Sequence, residues 1–283
     1  MQKYNLLERL LFPSTYFNKK KLSSNLKGKT ILITGASSGI GEQVAYLLAD
    51  INVHLILVAR RVEKLSTMKS EIEKESVKVS IFRADLRNKE ELEELLAFIH
   101  QLPEGLDLVV SNAGISINRS IYNSLDRYHD FTRTMAINYF APVQLLLSVI
   151  PLLEKNKGQI INISTVNALL IPIPYWAAYQ ASKSAFDTWF RSVALELNVV
   201  GIFTTSIYLP LVRTPMIFPT TAYQKMPAIC PNHVAQIICK SMYTKRNKYR
   251  PWWLIFGQFA SIFFRGILEA FIPCVLRKSG KRK

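Results

Sequence analysis

Cysteine is scarce in this sequence: Cys230, Cys239 and Cys274 are the only three in 283 residues. They have no metal-ligand spacing and are too few for a disulfide framework, which excludes a zinc ribbon and a stapled secreted scaffold. A reducing, cytoplasmic setting is the simplest expectation. Acids are also few, with 20 Asp and Glu against 36 Lys and Arg, a net charge of +16. No stretch of eighteen uncharged apolar residues stands out, which argues against a polytopic membrane protein. Repeats and low-complexity tracts are absent. The 49% hydrophobic and 20% charged residues are ordinary globular proportions, so a disordered chain is excluded as well.

The positive charge sits at the ends. Residues 1–27 hold six basic residues and one acid, residues 240–283 hold eleven and one, and the stretch between is left at +1. A nucleic-acid enzyme would carry basic residues across its body, so no nucleic-acid partner is expected. Basic ends that also carry apolar side chains suit an anionic membrane surface. Near the N-terminus, Glu8 and Arg9 interrupt Leu6, Leu7, Leu10, Leu11 and Phe12, and Lys19-Lys20-Lys21 follow. The interrupting charges deny this stretch the core of a signal peptide. It reads as a short amphipathic helix, at a lipid surface or packed on the body.

At the other end, Trp252-Trp253 precede an apolar stretch over 254–276. On a single helix, Gln258, Ser261, Arg265 and Glu269 form one narrow polar stripe. Arg265 and Glu269 at mid-depth argue against a spanning helix. A helix lying in the interface, with Arg277-Lys278 and Lys281-Arg282-Lys283 drawn to anionic lipid, fits better. The alternatives are a helix that caps the domain or is buried in a dimer.

From residue 28 onward, apolar strand patterns alternate with helical ones. Strands are expected at 30–33, 54–58, 79–82, 106–110, 159–163 and 203–208. Helices are expected at 39–48, 61–75, 89–100, 128–153 (one or two) and 181–197. This alternation predicts an α/β fold, a single doubly wound, Rossmann-type parallel sheet with helices on both faces. The catalytic body runs over 28–242, between a basic N-terminal extension (1–27) and a basic, apolar C-terminal one (243–283).

Several motifs fall at strand C-termini, where such sheets bind ligands. The first strand runs into Thr34-Gly35-Ala36-Ser37-Ser38-Gly39-Ile40-Gly41. Small residues there let the backbone approach a pyrophosphate, and the following helix offers free N–H groups. The second strand ends in Ala59-Arg60-Arg61. An acid at this place would bind a ribose 2′-hydroxyl, whereas arginine pairs with a 2′-phosphate, so Arg60 points to NADP(H). Asp85 follows the third strand and Asn112-Ala113-Gly114 the fourth. Tyr179 and Lys183 are four apart at a helix start and share a face. An ammonium there favours the phenolate and brings an ordinarily very weak acid closer to use. No metal site is indicated.

Taken in order, the glycine turn, Asp85, Asn112-Ala113-Gly114, Asn138 and the Tyr179–Lys183 pair resemble the short-chain dehydrogenase/reductase family over about residues 27–242. The resemblance implies hydride transfer between a nicotinamide and a carbonyl, with Tyr179 as acid/base. It implies that Lys183 lowers the tyrosine pKa and binds ribose, that Asn138 holds a relay water, and that Thr214 contacts the carboxamide. The family's substrate-orienting serine has no direct counterpart, because thirteen residues before Tyr179 stands Val166. Local alignment on Asn162-Ile163-Ser164 gives the role to Thr165, with Ser164 as the alternative.

The stretches 126–131, 138–140 and 208–217 look like the bacterial long-chain fatty acyl-CoA reductases of that family. That resemblance implies NADPH-dependent reduction of a lipophilic acyl-CoA to a fatty aldehyde. A 3-oxoacyl, steroid-like or retinoid-like carbonyl is the alternative substrate, and a non-catalytic nucleotide-binding regulator the alternative of another class. His129 reads as a surface residue. Family members often pair through their long helices, so a homo-oligomer through 181–197 is expected, with peripheral contact to the inner face of a membrane.

Overall fold

The computed structural model describes residues 4–278, apart from 75, 219, 221–222 and 224–225. Its centre is a seven-stranded sheet, all parallel, in the order β3-β2-β1-β4-β5-β6-β7. The strands are β1 (Lys29–Thr34), β2 (Val53–Ala59), β3 (Val77–Arg83), β4 (Leu108–Ser111), β5 (Gln159–Thr165), β6 (Phe203–Leu209) and β7 (Lys248–Tyr249). Six were expected. β7 is two residues long and carries too little pattern to be read in advance.

Successive residues of the strands feed two cores, because side chains alternate across a sheet. Ile31, Ile33, Leu55 and Leu57 enter one core, with α3 (Gly39–Leu48), α4 (Val62–Ile72) and α9 (Pro231–Thr244). Leu32, Ile56, Val58 and Val109 enter the other, with α5 (Lys89–His100), α7 (Ala141–Lys155) and α8 (Ala177–Val199). The chain winds outward from β1 to β3, then returns to place β4 on the other side of β1. Above the C-terminal ends of β1 and β4 the connections diverge, which opens the crevice that ligands of this architecture use.

Residues 134–153 carry no charge, and the helical run Tyr128–Lys155 is apolar enough by length and composition to cross a membrane. That corrects the impression that no such stretch exists. The structure spends it on the core, where Leu145, Leu146, Val149 and Leu153 are buried. The run is also divided into α6 (Tyr128–Met135), a π-helical turn at Ala136–Phe140, and α7.

The terminal segments pack on this body. Two helices precede β1, α1 (Leu6–Leu11) and α2 (Lys19–Leu26). Leu22 and Leu26 of α2 are buried in the core that α9 shares, and burying a leucine contributes about 1.5–3 kcal/mol. Asn5 and Glu8 form a reciprocal capping box that lets a helix as short as α1 hold its first turn. At the other end the single helix expected over 254–276 does not form. α10 (Leu254–Phe263) and α11 (Arg265–Lys278) meet at Phe264 with a bend of 95°. The expected stripe is therefore split. Gln258 accepts from Arg250 and Ser261 accepts from the Ile171 N–H, whereas Arg265 and Glu269 pair with each other beyond the bend. The body holds α10 through Leu254, which is buried with Val166 and Tyr208. Residues 281–283 lie outside the described residues.

Candidate active site

Two positions of the glycine turn require glycine for conformation: Gly35 has φ +66° and Gly39 φ +61°. Gly41 is excluded from carrying a side chain by space, since a Cβ there would stand 2.6 Å from the Gly35 carbonyl oxygen. The turn is tied to the end of β4. Asn112 donates its amide to the carbonyls of Thr34 (2.9 Å) and Gly35 (3.2 Å), and the Thr34 hydroxyl accepts the N–H groups of Asn112 and Ala113, each at 3.0 Å. The result is a bare backbone cradle opening on a cavity of about 860 Å³. Gly35, Ser37, Ser38, Gly39, Ile40, Asn112, Ala113, Gly114 and Thr214 line that cavity, and Gly41 supports it from behind. The Thr214 methyl would lie 2.9 Å from a Cβ on Gly39, so the loop after β6 closes against the turn.

At the adenosine end of such a cradle, Arg60 lines the cavity rim and Arg61 folds back on Ser37. Arg61 Nη2 donates to the Ser37 carbonyl and hydroxyl, both at 3.0 Å. Asp85 also lines the cavity, but its carboxylate is held by Arg87 through a pair of bonds, the shorter 2.6 Å. The Arg87 hydrogen bond outweighs burial and keeps that carboxyl below its ordinary range. Arg87 and, at longer range, Arg60 thus both act on one committed acid. Sequence reading missed Arg87 because its role depends on the turn after β3 that brings it back toward β2.

The catalytic candidates come together on α8. Tyr179 and Lys183 occupy its first two turns and line the cavity with Thr165 from the end of β5. Burial raises the Tyr179 pKa above its ordinary value, an effect that the nearby Thr165 hydroxyl opposes. Lys183 donates to the Ile163 carbonyl at 3.0 Å, and its ammonium would be 3.6 Å from a Cβ on Gly114. Burial pulls the Lys183 pKa down to about 8, against the attraction of Asp187. Asn138 sits in the π turn, where insertions of this kind mark functional positions. Its side chain is fully employed: Oδ1 accepts from the Ile115 N–H (3.0 Å), and Nδ2 donates to the Ile115 carbonyl and the Ser182 hydroxyl, each at 2.9 Å. Pro142, one turn on, has no N–H to give the Asn138 carbonyl.

Ser164 is turned elsewhere. Its hydroxyl donates at 3.0 Å to Asp187, a buried carboxylate that also accepts from the Tyr208 hydroxyl at 3.3 Å. Burial raises the Asp187 pKa against those bonds and the nearby cations. Asp187 was missed at the sequence level, although Tyr179, Lys183 and Asp187 recur every four residues and share one helix face. Gln180 was missed too. It pins the loop before α8, accepting from the Ile173 N–H (3.0 Å) and donating to the Asn167 carbonyl (2.7 Å).

Residues 29–224 match the profile of a family described as short chain dehydrogenase. A protein of Acinetobacter baylyi named fatty acyl-CoA reductase is 43% identical over 225 residues, covering 79% of this chain and 76% of its own. A Mycobacterium tuberculosis protein, also named a fatty acyl-CoA reductase, is 35% identical over 228 residues, covering 80% and 78%. Among solved structures, a short-chain dehydrogenase/reductase of Caenorhabditis elegans, crystallised with its cofactor, superposes with a TM-score of 0.66 at 26% identity. It covers 77% of this chain and 89% of its own.

Proposed function

The chain belongs to the short-chain dehydrogenase family of oxidoreductases, and on that premise we propose that it uses NADPH to reduce the acyl thioester of a long-chain fatty acyl-CoA to the aldehyde. The observation that carries this reading is the meeting of Thr165, Tyr179 and Lys183 at one cavity whose wall continues through Val166, Ile173, Leu211, Met216, Ile217 and Met226. Such a wall suits an alkyl chain. The names of the two bacterial relatives favour the acyl-CoA within that class. The glycine cradle fits a dinucleotide, since Gly35 and Gly39 hold the positive φ of the turn and Gly41 lets it pack close, leaving bare backbone toward the cavity where phosphates would lie. Arg60, Arg61 and Arg87 favour a 2′-phosphate on its ribose.

When bound, the nicotinamide supplies a hydride to the carbonyl carbon. The protein handles the proton and the oxygen. Tyr179 Oη delivers its proton to the carbonyl oxygen, and Thr165 Oγ1 donates a hydrogen bond to the same atom as charge develops there. The Lys183 ammonium stabilises the phenolate left behind and binds ribose. Because the Asn138 side chain is already committed, its backbone carbonyl is the group that holds a relay water. Collapse of the reduced thioester releases the thiol and leaves the aldehyde.

Purified protein with NADPH and palmitoyl-CoA is the test. Release of free CoA with hexadecanal is the expected outcome. Tight NADPH binding with neither product rules the substrate out and turns the search to 3-oxoacyl, steroid-like and retinoid-like ketones.

Peripheral membrane contact belongs to the same reading. Phe259, Ile262 and Phe263 of α10 and Ile267 and Phe271 of α11 are all exposed, an apolar surface suited to the upper part of a bilayer. Removing residues 265–283, which spares the buried Leu254, is expected to lower recovery with floated anionic liposomes. Equal recovery counts against the contact. Self-association through α7 and α8, where Leu147, Leu195 and Val199 are exposed, completes the picture.

A further inference from the structure

Beside the cavity lies a cation cluster that the chemistry above does not use. The Asp130 side chain on α6 is 2% exposed, and three arginines converge on it. Arg119 and Arg127 each donate through Nε alone, at 3.0 and 3.2 Å, and Arg133 through one Nη, at 2.9 Å. His129 Nε2 stands 3.4 Å from the same carboxylate. Burial would raise the Asp130 pKa, but Arg127, Arg119 and Arg133 together hold it below the ordinary range. The acid is therefore charged and cancels only one of the three guanidinium charges. The other acid of the segment, Asp126, is exposed and forms no ion pair among the described residues.

A structural ion pair needs one arginine. Here three share a carboxylate, and the way they share it matters. A guanidinium has five donors, and its terminal Nη fork is the edge that matches a phosphate. Both Nη groups of Arg119 and of Arg127 have no acceptor among the described residues. The three arginine side chains are 35%, 35% and 42% exposed. Asp130 thus acts as a hub that holds Arg119 and Arg127 by Nε, leaving their forks without an acceptor, and Arg133 by one Nη, leaving its other donors over. The cluster is also tied to the active site. Ser116 and Asn118 line the cavity immediately before Arg119 in the chain. The Arg119 N–H donates at 2.8 Å to the carbonyl of Tyr175, four residues ahead of Tyr179. Tyr122 and Tyr128, in the same segment, expose 72% and 77% of their surface.

We propose that this cluster binds the phosphates of the adenosine-phosphate handle of a coenzyme A thioester, with the arginine forks on phosphate oxygens and an exposed tyrosine under the purine. The inference rests on the acyl-CoA reading and deepens it. The acyl chain and thioester occupy the cavity, the pantetheine arm leaves past Asn118, and the charged handle lies on the Asp130 hub.

The test is calorimetric binding of coenzyme A to full-length protein saturated with NADP⁺, so that the dinucleotide site is filled. R133Q removes the most exposed of the three guanidinium groups and leaves Arg119 and Arg127 to hold Asp130. It is expected to weaken coenzyme A binding about tenfold, the loss of one charge-assisted contact. R119K keeps the charge and loses the fork, and should weaken binding by a smaller factor with the fold retained in a thermal melt. Pantetheine, which lacks phosphates, should bind both variants as it binds the wild type, and added salt should weaken only coenzyme A. Unchanged coenzyme A affinity in both variants overturns the proposal. So does a wild type that binds no coenzyme A, or inorganic phosphate that competes as well as coenzyme A does. If the binding pattern holds but palmitoyl-CoA is not reduced, the catalytic reading fails and this site stands. If palmitoyl-CoA is reduced while R133Q and R119K bind like the wild type, the site fails and the catalytic reading stands.

Discussion

Two neighbouring hydroxyls at the end of β5 make opposite predictions. Thr165 lines the cavity beside Tyr179, and among the described residues its hydroxyl accepts one weak bond, from the Asn167 N–H at 3.3 Å. Replacing it by valine keeps the shape and removes the donor. Losing one donor to a developing oxyanion lowers kcat by about 10²–10³-fold, equivalent to roughly 2.7–4 kcal/mol. The cost in stability should be near 1 kcal/mol, because one long hydrogen bond is lost. Ser164 is the reverse case. Its hydroxyl serves Asp187 in the interior, so S164A leaves a buried carboxylate oxygen short of a donor. That costs about 1–3 kcal/mol of folding free energy. In a chain of this size it lowers Tm by roughly 2–4 °C for each kcal/mol. Turnover should fall only a few-fold. Steady-state NADPH oxidation at saturating substrate, run beside urea melts of both variants, reads the two effects separately. A larger kcat loss in S164A than in T165V would refute the assignment of substrate orientation to Thr165.

The pH profile follows from Lys183, whose pKa near 8 leaves it cationic below that value and neutral above it. On the proposal that its charge supports the phenolate, reduction should decline with a one-proton slope as pH rises through 8. K183R, charged throughout, should lack that decline whatever its absolute rate. The R60A/R61A double variant should raise KM for NADPH at least tenfold and leave that for NADH little changed, and parallel changes for both cofactors would disprove a 2′-phosphate role. Glu8 is 2% exposed and accepts from Arg213 and from the N–H groups of Ala228 (3.2 Å) and Asn5 (3.1 Å). Burial raises its pKa, but these partners outweigh burial and hold it below the ordinary value. A folded pKa below the unfolded one contributes stability that is present above about pH 4.3 and lost as pH falls through the folded pKa. E8Q should therefore destabilise the protein at pH 7 by about 1–3 kcal/mol, with the gap to wild type closing in acid. Denaturant titrations at pH 7 and at a series of pH values running from 4 downward check both halves.

The sheet was legible because buried parallel strands announce themselves as apolar runs. The runs 54–58 and 159–163 needed no context. The glycine turn and the Tyr179–Lys183 spacing were legible because local backbone geometry dictates both. What could not be read depended on distant partners. Asp187 looks like any helical acid until Ser164 and Tyr208 close on it. The bend at Phe264 could not be foreseen, because the contacts that hold α10 come from Leu170, Ile171 and Arg250, outside the helix. The polar stripe was a correct reading of spacing and a wrong reading of shape, since it assumed a straight helix across the break.

The family profile covers residues 29–224, yet both ends outside it reach the site. Leu11 and Phe12 line the cavity from the N-terminal side and Trp253 from the C-terminal side. The first of these approaches is fixed by polar contacts that a loosely attached tail would not make. Tyr4 accepts the Cys230 N–H at 2.9 Å and engages His233 Nδ1 at 3.0 Å, His233 Nε2 meets Thr15 at 3.0 Å, and Glu8 grips Arg213. Every one of these partners lies between 213 and 233 or in the N-terminal segment itself. That segment also carries Thr214, whose methyl closes on the glycine turn, and Met216 and Met226, which face the cavity. Long loops of this kind open readily unless they are tied down. Here a buried carboxylate on a six-residue helix is the tie, and Trp252 joins it to the C-terminal segment by donating to the Leu10 carbonyl at 3.0 Å. The extensions thus set how firmly the wall over substrate and nucleotide is held, while the Rossmann core sets where the proton and hydride meet.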